Sequence, residues 1–395
     1  MPNLPVYLDY AAATPLDPHV LEAMMKVLGP GGTFGNPSAK DHIYGWQAAE
    51  LVADAREKVA KLVGCSHLNL IFTSGATESN NLAIWGLAFS RQVRESGRRH
   101  IISTRIEHKS VLACLQHLQG MGFEVDFLDP DANGEVSAEA VRQRITPQTF
   151  LVSVMHANSE LGTLNDIHAI ATACRERGVY FHSDCAQSAG WVELGLDESD
   201  ITMASLTPEK IYGPKGVGAL YIRRSLGLEL EPLIFGGGQE LGLRAGTVAT
   251  HQVVAMGEAF HQMSLQAKGD AERLNGYRRI LEEGLGALDF VSFNQGPRRL
   301  PTILSVTFRG VDPLMLLPTL RGVAASTGSA CTSSNLEPSY VLKAIGLSDR
   351  DARSTLRFSM GRFTTEEEIR AALEAIRDTA VKLHGAGDMW QVNKK

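Results

Sequence analysis

The chain has 395 residues, of which 44% are hydrophobic and 21% are charged. This composition is typical of a soluble globular protein and leaves room for two domains of ordinary size. The formal net charge of −6 argues against a protein that coats nucleic acid or a membrane surface. No apolar run of about 20 residues and no charged-then-apolar leader occurs, so we expect neither a membrane span nor a secretory signal.

Short apolar segments alternate with helical patterns after an extended arm over residues 1–14. The helical segments, such as 44–63, carry apolar residues that recur at intervals of three and four. Such alternation indicates a mainly parallel sheet that is covered by helices on both faces. The predicted strands are 70–73, 100–104, 123–128, 150–155, 181–184, 199–206 and 217–222.

Polar side chains are predicted just beyond the carboxyl ends of several strands. They are Thr77, His108, Ser159, Asp184 and Lys210. Ligands of parallel sheets bind at this edge. The first of the five lies where a strand, a Gly turn and a helix meet, and such a junction favours a phosphate through free N–H groups and the helix dipole. That junction alone is a weak signal, but the five residues together predict a ligand site.

Lys210 lies at a strand end in a turn crowded with Gly and Pro. Earlier in the chain, the strand-like run 181–184 ends in Asp184. A lysine that can form a Schiff base and an Asp that can pair with a pyridinium nitrogen are what pyridoxal 5′-phosphate (PLP) chemistry requires. A single lysine in such a turn is more often a solvated surface residue, so this pair alone does not establish a PLP site.

The pattern changes in the last third of the chain. A long helix is predicted over about 250–289 with a break near Gly269, and an α+β unit follows from about residue 290. We place the domain change near residue 260. The predicted domains are a large domain, 15–260, and a small domain, 1–14 with 261–395, which carries the loop around Cys331.

The five cysteines form neither a CxxC pair nor a zinc-like cluster. We therefore expect free thiols in a reducing cytoplasm and no metal site. Cys331 differs from the rest because small polar residues surround it, which predicts a flexible, exposed loop. The others lie in apolar or helical surroundings and are predicted to pack as small hydrophobic residues; they are Cys65, Cys114, Cys174 and Cys185.

Several motifs, spread over nearly the whole chain, resemble those of the cysteine desulfurases of the iron–sulfur-cluster-assembly and nitrogen-fixation type. The motifs are YLDY (7–10), GNP (35–37), SGATES (74–79), EHK (107–109), KIYGPKG (210–216), SACTS (329–333) and RFTTEEE (362–368). The resemblance implies an α/β fold of the fold-type I, class-V-aminotransferase-like PLP enzymes, with a mainly parallel seven-stranded sheet and a smaller α+β domain. It also implies a homodimer with sites at the subunit boundary.

The resemblance assigns roles to individual residues. Lys210 corresponds to the Schiff-base lysine, Asp184 to the partner of the pyridine nitrogen, and His108 to the imidazole that stacks on the ring and moves protons. Cys331 corresponds to the nucleophile that takes sulfur from L-cysteine as a persulfide, leaves L-alanine, and passes the sulfur to a protein acceptor. Further cofactor contacts are implied for Ala76, Thr77, Ser159, Gln187, Thr207, Glu209 and Thr247, the last toward the neighbouring subunit.

Substrate binding is implied for two residues. Arg357 corresponds to the guanidinium that holds the α-carboxylate of the substrate, and Asn36 is its expected helper. A planar guanidinium suits this task because it can donate two parallel hydrogen bonds to one carboxylate.

Two residues depart from the usual pattern of this family. Glu209 stands where the family commonly has His, immediately before Lys210. A carboxylate would repel the phosphate there unless it turns away or stays protonated. Ser159 stands where the family has Asn near the phenolic oxygen of PLP, and the adjacent Asn158 is a candidate to substitute for it. We therefore predict weaker PLP retention than is usual in the family.

Three functions stay open at the level of sequence. The first is a PLP-dependent cysteine desulfurase that serves iron–sulfur cluster assembly, RNA thiolation or DNA phosphorothioation, without touching nucleic acid or membrane itself. The second is a selenocysteine lyase or another PLP enzyme such as a transaminase, although the Cys331 loop argues against a transaminase. The third is a sulfur-relay scaffold with little PLP activity because of Glu209.

Overall fold

A computed structural model describes residues 4–327 and 337–392, with side chains described as far as residue 385. Cys331, the predicted nucleophile, lies outside the described residues. The helices are α1 (Pro18–Met25), α2 (Ile43–Val63), α3 (Ala76–Ala88), α4 (Arg91–Ser96), α5 (Lys109–Gly120), α6 (Ala138–Arg144), α7 (Ile167–Arg175), α8 (Thr250–Gly286), α9 (Pro313–Thr319), α10 (Tyr340–Ala344), α11 (Asp349–Arg353) and α12 (Glu366–Val392). The strands are β1 (Val6–Tyr7), β2 (Leu70–Thr73), β3 (His100–Thr104), β4 (Glu124–Leu128), β5 (Thr149–Ser153), β6 (Tyr180–Asp184), β7 (Met203–Leu206), β8 (Gly218–Ile222), β9 (Val291–Phe293), β10 (Ile303–Phe308), β11 (Val323–Ala324) and β12 (Thr355–Ser359).

The largest sheet has seven strands in the order β2-β8-β7-β6-β5-β3-β4. Pairing is parallel from β7 through β4, and β8 pairs antiparallel with both β7 and β2. The predicted mainly parallel, seven-stranded sheet is therefore confirmed. Successive residues of a strand point to opposite faces, and helices cover both. Ile101 and Leu151 pack in one apolar cluster, whereas Ile102 and Val152 pack in another.

A second unit is built on the antiparallel sheet β12-β10-β9. Leucines of α8, such as Leu281, and apolar residues of α12, such as Ile369, cover it and share one apolar cluster with Leu304 of β10. The N-terminal arm joins this unit because β1 pairs in parallel with β11 and Asp9 forms a bridge with Ser359. Among the described residues, no helix is long and apolar enough to span a bilayer.

Helix α8 connects the two sheets without interruption, so the predicted break near Gly269 is wrong. Its first half packs on the large sheet through residues such as Phe260, and its second half packs on the small sheet through Leu274 and Leu281. A single glycine lowers helix stability by only about 1 kcal/mol, which packing at both ends outweighs. The division into two domains near residue 260 stays a prediction. Residue 260 lies inside helix α8, which belongs to both units.

Candidate active site

A cavity of about 430 Å³ lies at the carboxyl ends of the parallel strands. Most of the predicted site residues line it: Ala76, Thr77, His108, Ser159, Asp184, Gln187, Thr207, Glu209, Lys210 and Arg357. Asn36 and Thr247 are exposed and lie outside its lining. Residues that are distant in sequence are thus brought together, and two are left at the surface of the single chain.

Lys210 extends into the cavity from the turn after β7. Its Nζ donates to the carbonyl oxygen of Ala12 at 2.6 Å and lies 3.3 Å from Oε1 of Glu209. The Glu209 carboxylate therefore remains in the cavity and pairs with the amine next to it. Two residues further on, Tyr212 is buried with φ +66, a strained conformation for a large side chain. The turn that carries the amine is thus fixed by packing.

Asp184 ends β6 and is 6% exposed. Its Oδ1 accepts a hydrogen bond from the backbone N–H of Ala186 at 3.0 Å, and its Oδ2 accepts one from Nδ2 of Asn80 at 2.7 Å. Sequence reasoning did not select Asn80. The available signal was a polar residue inside the largely apolar helix α3, which is unusual for a buried position unless the side chain is paired.

His108 is the N-cap of α5 and exposes its ring in the cavity. Its Nδ1 accepts a hydrogen bond from the backbone N–H of Ser110 at 3.1 Å and lies 2.8 Å from the Ser110 hydroxyl. Because an accepting Nδ1 carries no proton, the proton of the neutral ring lies on Nε2. The imidazole therefore has one nitrogen fixed by the protein and the other left to donate.

The N-terminus of α3 can accept an anion. Its N-cap, Gly75, has φ +153 and no side chain that could cap the helix, so the first N–H groups stay available beside the positive end of the helix dipole. A Cβ at Gly218 in β8 would come within 2.7 Å of the Gly75 backbone, so the close approach requires glycine. The carboxylate of Glu78, which also lines the cavity, already has partners: Oε2 accepts from Ser74 N–H at 2.7 Å and Oε1 pairs with Arg244 at 3.1 Å.

Arg357 projects from β12 and is 4% exposed. Its Nη1 donates to the carbonyl oxygen of Ser159 at 2.8 Å, and its Nη2 pairs with Oδ1 of Asp9 at 2.7 Å. Nε has no partner among the described residues. A guanidinium has five N–H groups, so two contacts fix its plane and others remain for a carboxylate. The Asp9 contact was also missed at the sequence level, although Asp9 lies in the YLDY motif.

The suggestion that Asn158 could replace a longer side chain at Ser159 is wrong. Asn158 is 1% exposed. Its Nδ2 donates to the carbonyl oxygen of Ile106, and its Oδ1 accepts from the N–H groups of Glu160 and Leu161. The side chain is therefore used entirely in holding the loop, and Ser159, not Asn158, lines the cavity.

Two buried groups beside the cavity have displaced pKa values. Burial raises the pKa of Glu107 to about 8, against hydrogen bonds from Met155 N–H and the Thr104 hydroxyl that lower it. Burial also raises the pKa of the Cys185 thiol to about 12. Cys185 is therefore an inert core residue despite its place next to Asp184. The thiols of Cys65, Cys114 and Cys174 have their pKa raised to about 12 for the same reason.

Comparison with known proteins is consistent with this geometry. The model of the class-V aminotransferase family matches residues 6–372. The cysteine desulfurase IscS of Vibrio vulnificus (strain YJ016) is 46% identical over 396 residues, which cover 100% of this chain and 97% of the relative. The cysteine desulfurase IscS of Tolumonas auensis is 46% identical over 394 residues, which cover 100% of this chain and 97% of the relative.

Solved structures with the same fold include a NifS-like protein with a TM-score of 0.88 and 33% identity, covering 96% of this chain and 100% of the other. SspA in complex with cysteine has a TM-score of 0.80 and 39% identity, with coverage of 91% and 99%. DndA from Streptomyces lividans has a TM-score of 0.76 and 38% identity, with coverage of 90% and 99%. The chain therefore belongs to the class-V aminotransferase family. Within that family, it groups with the cysteine desulfurases.

Proposed function

We propose that this chain is a PLP-dependent cysteine desulfurase, which converts L-cysteine to L-alanine and collects the sulfur as a persulfide on Cys331. The observation that carries the proposal is that Lys210, Asp184 and Arg357 line one cavity although they lie far apart in sequence. An amine, a buried carboxylate and a fixed guanidinium are the groups that a PLP enzyme acting on an amino acid needs. Full-length relatives that are named cysteine desulfurases support the choice of reaction.

The residues of the cavity fit PLP. The uncapped N-terminus of α3, with Ala76 and Thr77, suits the phosphate, and the buried carboxylate of Asp184 suits the ring nitrogen. Lys210 would hold the aldehyde carbon covalently, with Gln187, Thr207 and Ser159 at the periphery. When bound, PLP supplies an electron sink for negative charge at the Cα atom of the substrate.

The protein side chains bind the substrate and transfer protons. Arg357 holds the α-carboxylate, and His108 offers a proton from Nε2, because its Nδ1 is fixed as an acceptor. The thiolate of Cys331 attacks the substrate Sγ, so that an S–S bond forms while the Cβ–S bond breaks. For this, Lys210 first removes the Cα proton of the substrate; after the Cβ–S bond breaks, one proton is delivered to Cβ and one is returned to Cα, which completes L-alanine.

A homodimer fits the surface of the single chain. Asn36 and Thr247 lie outside the cavity lining, in segments that expose large apolar side chains, and a second subunit would cover such side chains. In this arrangement, Thr247 reaches the phosphate of the neighbouring subunit. The exposed side chains are Phe34 (61%), Tyr44 (54%), Trp46 (55%), Phe235 (74%) and Leu241 (62%).

The persulfide is passed to a protein acceptor in the cytoplasm, for iron–sulfur cluster assembly, RNA thiolation or DNA phosphorothioation. Neither nucleic acid nor membrane is a direct partner in this proposal, consistent with the net charge of −6. Transfer of label from radiolabelled cysteine to a co-purifying protein identifies the acceptor.

The reaction is tested with purified protein, L-cysteine and a reductant. We expect the visible absorption of lysine-bound PLP, together with sulfide and alanine in equal amounts. Cys331→Ser keeps the absorption and loses sulfide release, whereas Cys65→Ser keeps both. Full turnover by Cys331→Ser would refute the persulfide, turnover of selenocysteine alone would refute the substrate, and absence of bound PLP would refute the reaction class.

A further inference from the structure

Asn80 links two of the proposed catalytic groups. The side chain is fully buried in α3, and its Nδ2 donates to Oδ2 of Asp184 at 2.7 Å and to Oγ of Ser110 at 2.9 Å. An ionised carboxylate can only accept hydrogen bonds, so the amide nitrogen rather than the amide oxygen faces Asp184. The Ser110 hydroxyl in turn lies 2.8 Å from Nδ1 of His108. Four side chains thus form one hydrogen-bonded series across α3, β6 and α5.

The contact fixes the orientation of the carboxylate of Asp184. One oxygen is held by the Ala186 N–H and the other by the Asn80 amide, so that rotation about the last side-chain bond would break both. An amide also stabilises the negative charge without offering a proton that the carboxylate could take. Asp184 is therefore held in one orientation by a neutral neighbour.

The Asn80 amide also fixes the hydrogen bonds between Ser110 and His108. Because Oγ of Ser110 accepts from Asn80, the hydroxyl proton of Ser110 is free to point at Nδ1 of His108. Nδ1 then accepts from both the hydroxyl and the backbone N–H of Ser110. The ring is held in one orientation, with Nε2 directed to donate.

The stability of the folded protein does not by itself explain why an asparagine occupies position 80. Oδ1 of Asn80 is buried without a partner among the described residues, and an unpaired buried carbonyl oxygen lowers stability. A leucine, which has the same branching but no polar atoms, would avoid that penalty. The polar side chain is therefore best explained by the contacts of its nitrogen.

We propose that Asn80 is a positioning residue, which aims the Asp184 carboxylate at the ring nitrogen of PLP and connects it to His108 through Ser110. This inference rests on the proposed function, since it requires PLP in the cavity. It predicts an effect that depends on one atom of the cofactor, the ring nitrogen.

The test compares binding of PLP and of 1-deazapyridoxal phosphate, which has carbon in place of the ring nitrogen, to the cofactor-free protein. We expect wild type to prefer PLP by about tenfold, as for a hydrogen bond between charged groups. Asn80→Leu and Asn80→Ala should lose most of that preference. The ratio of the two dissociation constants does not depend on how much protein is folded, because both probes bind only the folded state.

Asn294→Ala is the matched control. Asn294 is also a buried amide that donates to two side-chain oxygens, those of Ser305 and Thr307, but it lies just after β9 of the small sheet. This variant should keep the wild-type ratio. Asn80 variants that keep the ratio would overturn the inference and leave the proposed function intact. If wild type bound PLP and 1-deazapyridoxal phosphate equally well, Asp184 would not be the partner of the ring nitrogen.

Discussion

Glu107 allows a prediction that connects burial with the pH dependence of stability. Its carboxyl is fully buried, with Oε1 accepting from Thr104 and Met155 and with Oε2 unpartnered among the described residues. Burial raises its pKa from 4.5 to about 8. Between these values, the folded state keeps a proton that the unfolded state has released. Raising the pH therefore favours the unfolded state, and the stability that this proton supports is lost as pH approaches the folded pKa.

The size of the effect follows from the two pKa values. Each pH unit between them lowers the free energy of unfolding by about 1.4 kcal/mol. From pH 5.5 to pH 8, the loss due to this carboxyl is about 3 kcal/mol after allowing for partial ionisation near pH 8. Glu107→Gln removes the titrating proton and keeps the accepting Oε1. Relative to wild type, we expect this variant to gain about 3 kcal/mol over the same interval.

Urea unfolding of the cofactor-free protein measures this difference, followed by tryptophan fluorescence at both pH values. Omitting PLP removes the contribution that ligand binding makes to apparent stability. Glu50→Gln serves as control, since Glu50 is exposed and its replacement should leave the difference from wild type unchanged. A constant difference between Glu107→Gln and wild type would mean that Glu107 is already ionised when folded, and the reasoning from burial would be wrong.

Four further substitutions test two cavity residues and two ion pairs outside the cavity. Arg357→Lys should raise the KM for L-cysteine by about 10- to 100-fold, because a bidentate contact is lost; an unchanged KM contradicts the role. Glu209→Gln should tighten PLP binding by about fivefold, since a charge near the phosphate is removed, and equal affinity in a titration would exclude repulsion. Glu240→Gln breaks the ion pair with Arg56 at 2.6 Å and should lower the free energy of unfolding by about 2 kcal/mol. Glu95→Gln, in an exposed pair, should change it by less than about 0.5 kcal/mol, and equal effects in the two variants would contradict the difference in burial.

The sheet and the position of the cavity were predictable because their signals are local. Apolar strand segments followed by polar residues are visible in the sequence, and parallel strands bring those residues to one edge. Asp184 and Lys210 were found in this way, and the structure places both in the lining of the cavity. The family resemblance added Arg357, whose strand lies in the other sheet and carries no local sign of contact with the first.

Contacts that depend on the packing of separate elements were not predictable. Asn80 pairs with Asp184 only because α3 crosses β6, and Asn158 is unavailable to the cavity only because its loop folds onto it. The continuity of α8 through Gly269 was missed for a related reason. Local helix propensity suggested a break there, whereas apolar contacts on both sheets keep the helix intact.

The contacts of Arg362 extend to the turn that carries Lys210. Its guanidinium pairs with Asp17 at 2.7 Å and with Asp270 at 2.8 Å, and it lies 4.4 Å from the centre of the Tyr212 ring. Tyr212 holds a left-handed conformation two residues after Lys210, which is unfavourable unless its surroundings enforce it. Residues from α8 and from both ends of the chain therefore determine the turn that presents the amine. Because that enforcement is non-local, the turn sequence shows where the lysine lies but not the structure that holds it in place.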